Sequence, residues 1–400
     1  MIWHILDVRA IWVKEFASAL AAQAPTLGWC PRITNGGMFR NDEEEITLDD
    51  PPLQIRYFPL QRGFARFPMN LIAGEGERLT QRLLRQTDVN EAYLVCCSPH
   101  YAEVAERWPG PVIYYATDLF AAWGEDPKRI ASFERRMCKV ADLICPDSQR
   151  IADHLITKCG CSEDKIHISP MATRSKNLLD KPATHPFDLP SDISDLPRPI
   201  AGVIGNLAAN MDWELLQETI ERTPWLSWLF VGPTEMSVPE PRQNNARQAL
   251  IGRNGQVCFV GEKPYSALRN YARAIDVAIL PYRKREPTYS GSSTRFYEHL
   301  AACRPILATR AFEELVHKEP LLKLVDTSEQ MTNEIEILRD SGFCDGFEAL
   351  RWETSQDQTW EVRVLTMSKA ISSRIPPVAR TIERASTASS SNLSCQDVVG

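Results

Sequence analysis

The chain has 400 residues, with 45 Lys and Arg against 52 Asp and Glu and a formal net charge of -7 at pH 7. That balance excludes nucleic acid as an electrostatically attracted partner, so any anionic ligand must be held locally, by arginines and helix ends. A composition of 44% hydrophobic and 24% charged residues is that of a soluble globular protein, and the length predicts two domains of roughly 150 to 200 residues.

Short apolar runs alternate with longer amphipathic ones, which predicts parallel sheets covered by helices. The opening segment, MIWHILDVRAIWV, lacks the basic start and long apolar stretch of a signal peptide, and no apolar run reaches membrane-spanning length, so a cytoplasmic chain is expected. Strands are predicted at residues 3–6, 55–58, 92–96, 112–116 and 143–145, and helices near 10–23, 77–86 and 128–140. A Pro- and Asp-rich stretch over 179–199 then breaks the alternation with residues that favour extended, solvated backbone. Strands resume at 200–205, 228–232, 257–261, 276–281 and 305–309, each closed by Gly, Pro or a hydroxyl residue.

The predicted organisation is an N-terminal domain over 1–185, a linker over 186–199, a second domain over 200–350, a C-terminal helical segment over 351–375 packing back on the first domain, and a Ser-rich disordered tail over 376–400. The fold class is α/β: two tandem, doubly wound, Rossmann-like units facing across a cleft. In such sheets ligands bind beyond the carboxyl ends of the strands.

Eleven cysteines, an odd number, are scattered along the chain. Cys96, Cys97, Cys145 and Cys258 lie in apolar runs and read as reduced thiols. Cys159 and Cys161 form a C-x-C pair with no second pair or His cluster at zinc spacing, so they read as loop thiols and no metal site is predicted.

The stretch SGSSTRFYEHLAACRPILAT, residues 290–309, combines helix caps with charge. Ser292 and Ser293 suit an N-cap and place the helix start near Thr294. A helix N-terminus with Arg295 beside it suits a phosphate, and Glu298, one turn on, can accept from a ribose diol. The alternative is an i, i+3 surface ion pair worth a few tenths of a kcal/mol. Gly205-Asn206 follows a strand and admits close approach of a phosphate or sugar. Glu262 and Tyr282 follow two further strands and point at the same rim, where each reads either as a satisfied loop residue or as a ligand contact. In the first domain, Thr117-Asp118 ends a strand, where the carboxylate is placed either as a general base or as a helix cap. His100 is a reserve base or acceptor contact, and Arg9 a grip for an acidic acceptor.

With these residues in place, the chain resembles the GT-B glycosyltransferases, whose nucleotide-sugar helix reads much like TRFYEHLAACRPILAT. A closer likeness is to the inverting, xanthan-type glucuronosyltransferases, through ATDL at 116–119, VGEKP at 260–264 and SSTRFYEH at 292–299. The resemblance implies Asp118 as the catalytic base, and Glu262, Tyr282, Arg295 and Glu298 at the nucleotide. It also departs from the family: Ser290 stands where retaining members carry a second Glu, Thr294 where Pro is common, Arg295 where Lys is found, and Cys303 where a helix-ending Gly is usual. The expectation is a metal-independent, inverting transfer from a nucleoside diphosphate sugar, UDP-linked, to a glycan, lipid-linked or small-molecule acceptor, with no cofactor. An epimerase and a noncatalytic nucleotide-sugar binder share the same features. Residues 57–72, which mix aromatics with Arg62 and Arg66, read either as a loop and helix over the cleft or as a peripheral contact with the inner face of a membrane.

Overall fold

The computed structural model describes residues 2–34, 45–49, 52–61, 75–85, 92–122, 126–234, 237–253 and 255–374. Residues 62–72 of the aromatic-rich segment and the tail over 376–400 lie outside the described residues. The chain divides into two compact units, Met1–Pro170 with Arg363–Gly400, and Met171–Val362. Among the described residues no helix is long and apolar enough to cross a membrane.

The first unit is built on strands β1 (Ile2–Leu6), β2 (Thr26–Thr34), β3 (Glu45–Asp49), β4 (Pro52–Gln61), β5 (Ala92–Cys96), β6 (Val112–Ala116) and β7 (Leu143–Pro146), in the order β3-β4-β2-β1-β5-β6-β7. Only β3 and β4 pair antiparallel. Every residue of β6 and β7 is buried, as expected of parallel strands covered on both faces, and that is why they read as continuous apolar runs. The sequence reading missed β2, which contains Gly28 and Pro31. Its pairing with β1 stops at Trp29, while its pairing with β4 runs on to Thr34. Pro31 therefore lies beyond β1, where a missing N–H breaks no bond to that neighbour.

The second unit carries β8 (Ile200–Ile204), β9 (Ser227–Val231), β10 (Val257–Phe259), β11 (Val277–Leu280), β12 (Ile306–Ala308) and β13 (Lys323–Leu324), all parallel, in the order β10-β9-β8-β11-β12-β13. The order reverses between β8 and β11, and in the first sheet between β1 and β5. In doubly wound sheets these reversals are where ligands bind.

Two boundaries differ from the sequence reading. The second unit begins at Met171, not after a linker at 186–199. Arg198 pairs with Asp276 at 2.9 Å, Lys263 with Asp192 at 2.7 Å, and Phe187 N–H donates to the Arg273 carbonyl at 2.9 Å. Pro and Asp do favour extended backbone, but here the segment is tied down in both directions: Arg198 and the Phe187 N–H donate to the rest of the second unit, and the Asp192 carboxylate accepts from it. The final helix, Trp360–Arg374, starts in the second unit and belongs to the first from Arg363 onward. Residues 351–362 thus stay with the second unit.

Each unit buries an imidazole in its neutral form. His4 accepts at Nδ1 from Trp29 Nε1 at 3.0 Å, and burial, helped by Arg56, lowers its pKa to about 4. His299, 1% exposed, is lowered to about 3 by burial and then by Arg295. A depressed folded pKa means that the unfolded chain takes up the proton first as pH falls. Stability is complete above about pH 6.5 and declines below it, by at most about 1.4 kcal/mol per pH unit per imidazole. The urea midpoint should drop between about pH 7.5 and about pH 5.5, and His299→Leu should flatten the second unit's share; equal midpoints at both pH values would contradict this.

Candidate functional site

The helix Thr294–Ala301 begins where its capping residues placed it. Ser293 is extended, with φ -96° and ψ 100°, and its hydroxyl accepts from Phe296 N–H at 3.4 Å, satisfying one of the free donors of the first turn. Ser292 does not cap the helix. Its hydroxyl accepts from Met171 N–H at 3.1 Å and ties the helix start to the beginning of the unit.

Arg295 lies in the first turn. Its Nε donates to the Ile204 carbonyl at the end of β8, and its guanidinium lies 5.9 Å from the ring of Tyr282, just past β11. The arginine therefore spans the reversal point of the sheet. Gly205, at φ 122°, is the residue that admits it, because a Cβ there would overlap the guanidinium. Gly232, at φ 151°, is needed in turn, because its Cβ would strike the Gly205 carbonyl. Gly205 thus makes room for an arginine, where the sequence reading gave that space to a ligand. Among the described residues no carboxylate pairs with Arg295, which removes the surface-pair alternative.

Tyr282 is 3% exposed and packs edge-on against Phe312 at 5.3 Å. Burial raises its hydroxyl pKa, and the neighbouring Arg295 opposes that rise. It backs the arginine and does not present a ring at the rim. Asn206, after β8, and Glu262, after Gly261, are both exposed, and Thr294 is half-buried.

Glu298 is held by two donors. Tyr265 Oη donates to one carboxylate oxygen at 2.7 Å and Asn177 Nδ2 to the other at 3.0 Å, while the Arg174 guanidinium lies 4.9 Å from the Tyr265 ring. A donor on each carboxylate oxygen fixes the orientation of Glu298. Asn177, Arg174 and Tyr265 went unnoticed in the sequence. Asn177 is 121 positions from Glu298, in a stretch assigned there to the first domain, and no local pattern marks it. Ser290, in place of an acidic residue, is buried, and its hydroxyl donates to Glu286 at 2.9 Å.

In the first unit, β1 and β5 flank the reversal point and end at Asp7, Arg9 and His100. Asp7 adopts φ 75°, and its carboxylate takes a two-pronged grip from Arg9, with Nη2 to Oδ2 at 2.6 Å. The pair offsets much of the charge that Arg9 was expected to offer an acidic acceptor. His100 Nδ1 lies 2.7 Å from Ser98 Oγ. Burial lowers its pKa, with Asp7 pulling it up and Arg9 pulling it down, which leaves a neutral ring able to accept a proton. Asp118 lies one strand over, past the end of β6, half-buried after the buried Thr117. Its carbonyl accepts from Phe120 N–H at 3.0 Å and starts the short turn Phe120–Ala122.

No protein-family model matches the chain. It is 24% identical over 213 residues to a Bacillus subtilis (strain 168) protein, TuaH, named as a putative teichuronic acid biosynthesis glycosyltransferase; the match spans 50% of each chain. Among solved structures, sucrose-phosphate synthase from Thermosynechococcus elongatus matches with a TM-score of 0.70 at 17% identity, over 92% of this chain and 98% of that one. Anabaena HepE, in complex with UDP and glucose, matches with a TM-score of 0.66 at 14% identity, over 93% and 99%. The two Rossmann-like sheets in tandem, and the structures they match nearly end to end, identify the architecture as the GT-B fold.

Proposed function

We propose that the protein is a glycosyltransferase that moves a sugar from a UDP-linked donor to an acceptor hydroxyl in polysaccharide or glycoconjugate assembly. The observation that carries this is Arg295: a guanidinium in the first turn of a helix, at the sheet's reversal point, without a carboxylate partner among the described residues. A diphosphate supplies the missing negative charge and also meets the free N–H groups of the turn. Glu298, oriented by Tyr265 and Asn177, then receives the ribose diol. In this reading Asn206, Glu262, Ser293 and Thr294 line that path, while Gly205 admits Arg295 and Ser292 fixes the start of the helix. The named activity of TuaH and the ligands of HepE support the reading.

In this reaction Asp118 takes the proton from the acceptor hydroxyl as its oxygen bonds to the anomeric carbon. The bond from that carbon to the diphosphate breaks, and Arg295 with the helix N-terminus takes up the charge on departing UDP, the role a metal ion fills elsewhere. Ser290 in place of an acidic residue favours inversion. The Glu286 carboxylate resting on Ser290 favours retention as a second reading, and the anomeric configuration of the product by NMR separates them. His100 and Arg9 lie on the acceptor side. The acceptor is a glycan, a lipid-linked sugar or a small molecule, and a lipid-linked one would bring the protein to the inner face of the membrane.

UDP should raise the melting temperature of the protein more than GDP or dTDP at equal concentration, since a ligand bound only to the folded state stabilises it by mass action. Free UDP should then appear from UDP-sugar only when an acceptor is added. No shift with any nucleotide would overturn the reading; UDP binding with no release under any acceptor pool would leave a binder, and sugar interconversion without release an epimerase.

A further inference from the structure

Three metal-ligating side chains converge between two helices of the first unit, with a fourth, Cys138, nearby in sequence. Glu134 and Cys138 sit one turn apart on Pro127–Val140, and His154 and Cys159 lie on Gln149–Cys159. Glu134 Oε2 is 3.1 Å from His154 Nε2 and 3.8 Å from Cys159 Sγ, and Cys159 Sγ is 3.7 Å from His154 Nε2. These three donor atoms all lie within 4.8 Å of one another. Cys138, 3% exposed, lies one turn after Glu134 on the same helix. Gly160, left-handed at φ 71°, ends the second helix just after Cys159.

The spacing matches a known coordination geometry. Zinc bonds of about 2.3 Å to sulfur and about 2.0 Å to nitrogen, at tetrahedral angles, place the two ligand atoms about 3.6 Å apart. Burial points the same way. Glu134 is 1% exposed, Cys138 3% and Cys159 6%, and a carboxylate so far from water requires a positive partner, which His154 supplies when protonated and a bound cation supplies in its place. None of these residues takes part in the reaction proposed above.

We infer that the converging Glu134, His154 and Cys159 bind one zinc ion in a closed, tetrahedral, structural site, with the Cys138 thiol turning in as the fourth ligand. Two thiolates, an imidazole and a carboxylate form a donor set that favours zinc over magnesium or calcium. Binding requires both sulfurs as thiolates and the imidazole neutral, so whichever of these groups carry a proton release it to solvent, and the four protein ligands leave no open position for substrate. The ion clamps the two helices together at the point where the second one ends.

The test uses the full chain purified under reducing conditions. Metal analysis should find one zinc per chain, and the metal-free protein should take up one equivalent in competition with a chromophoric chelator. Cobalt(II) in its place should give the intense visible bands of a tetrahedral thiolate site, a readout that needs no variant to fold. Cys159→Ser and His154→Ala should weaken uptake by more than about 100-fold, beyond the loss seen for outer-shell changes, whereas Cys344→Ser should leave it unchanged. Less than stoichiometric uptake by the unmodified chain, uptake indifferent to Cys159→Ser, or a Cys138–Cys159 disulfide in the reduced preparation would overturn the inference.

Discussion

Arg295→Ala is expected to bind UDP about 10- to 100-fold more weakly than the unmodified protein, as measured by calorimetric titration. A hydrogen bond to a charged group contributes about 1.5 to 3 kcal/mol, and every 1.4 kcal/mol is about tenfold in affinity. The turnover should fall further, by about 100- to 1,000-fold, because the same guanidinium meets charge that grows as UDP departs. Arg295 also bonds the Ile204 carbonyl and lies over Tyr282, so its loss disturbs packing as well. Arg295→Lys separates the two effects. It keeps the charge but loses the planar fork, and should recover part of the affinity. UDP binding by a folded Arg295→Ala protein at full strength would remove the phosphate role.

Asp118→Asn is expected to lower kcat by about 100- to 10,000-fold, the range over which a general base contributes. UDP affinity should stay unchanged, because the nucleotide is assigned to the other unit. The substitution is nearly isosteric at a half-buried position, so folding should survive. His100→Gln is the companion variant. Full turnover by Asp118→Asn together with loss in His100→Gln would move the base to the neutral imidazole at the reversal point of the first sheet.

Elements punctuated by Gly, Pro or a cap were legible. The ends of β5, β6 and β8 and the start of the helix at Thr294 agree with the reading of the sequence to within a residue, because each lies at a residue whose backbone preference is strong. What local pattern could not carry was partnership across the chain. Asn177 reaches Glu298 only because Met171 begins the second unit, and a Pro- and Asp-rich composition marks a docked segment and a free linker alike. Tyr282 was placed correctly at a strand end, yet which way its ring turns depends on Phe312, 30 positions later. The cluster proposed above lay beyond the cysteine reading for a similar reason. A search for zinc spacing looks for two short-range pairs, whereas Glu134 and His154 reach Cys159 from two helices, and only Cys159 and Cys161 announce themselves locally.

The division of the chain has a consequence for biosynthesis. The second unit is one continuous segment, Met171–Val362, inserted into the first, whose last described helical residues run from Arg363 to Arg374. As the chain leaves the ribosome, the inserted unit emerges whole before its host has received its final segment. The usual order, in which the N-terminal domain is completed first during synthesis, is therefore inverted here: the first unit receives its last helical residues only after the inserted unit is whole, some two hundred positions later.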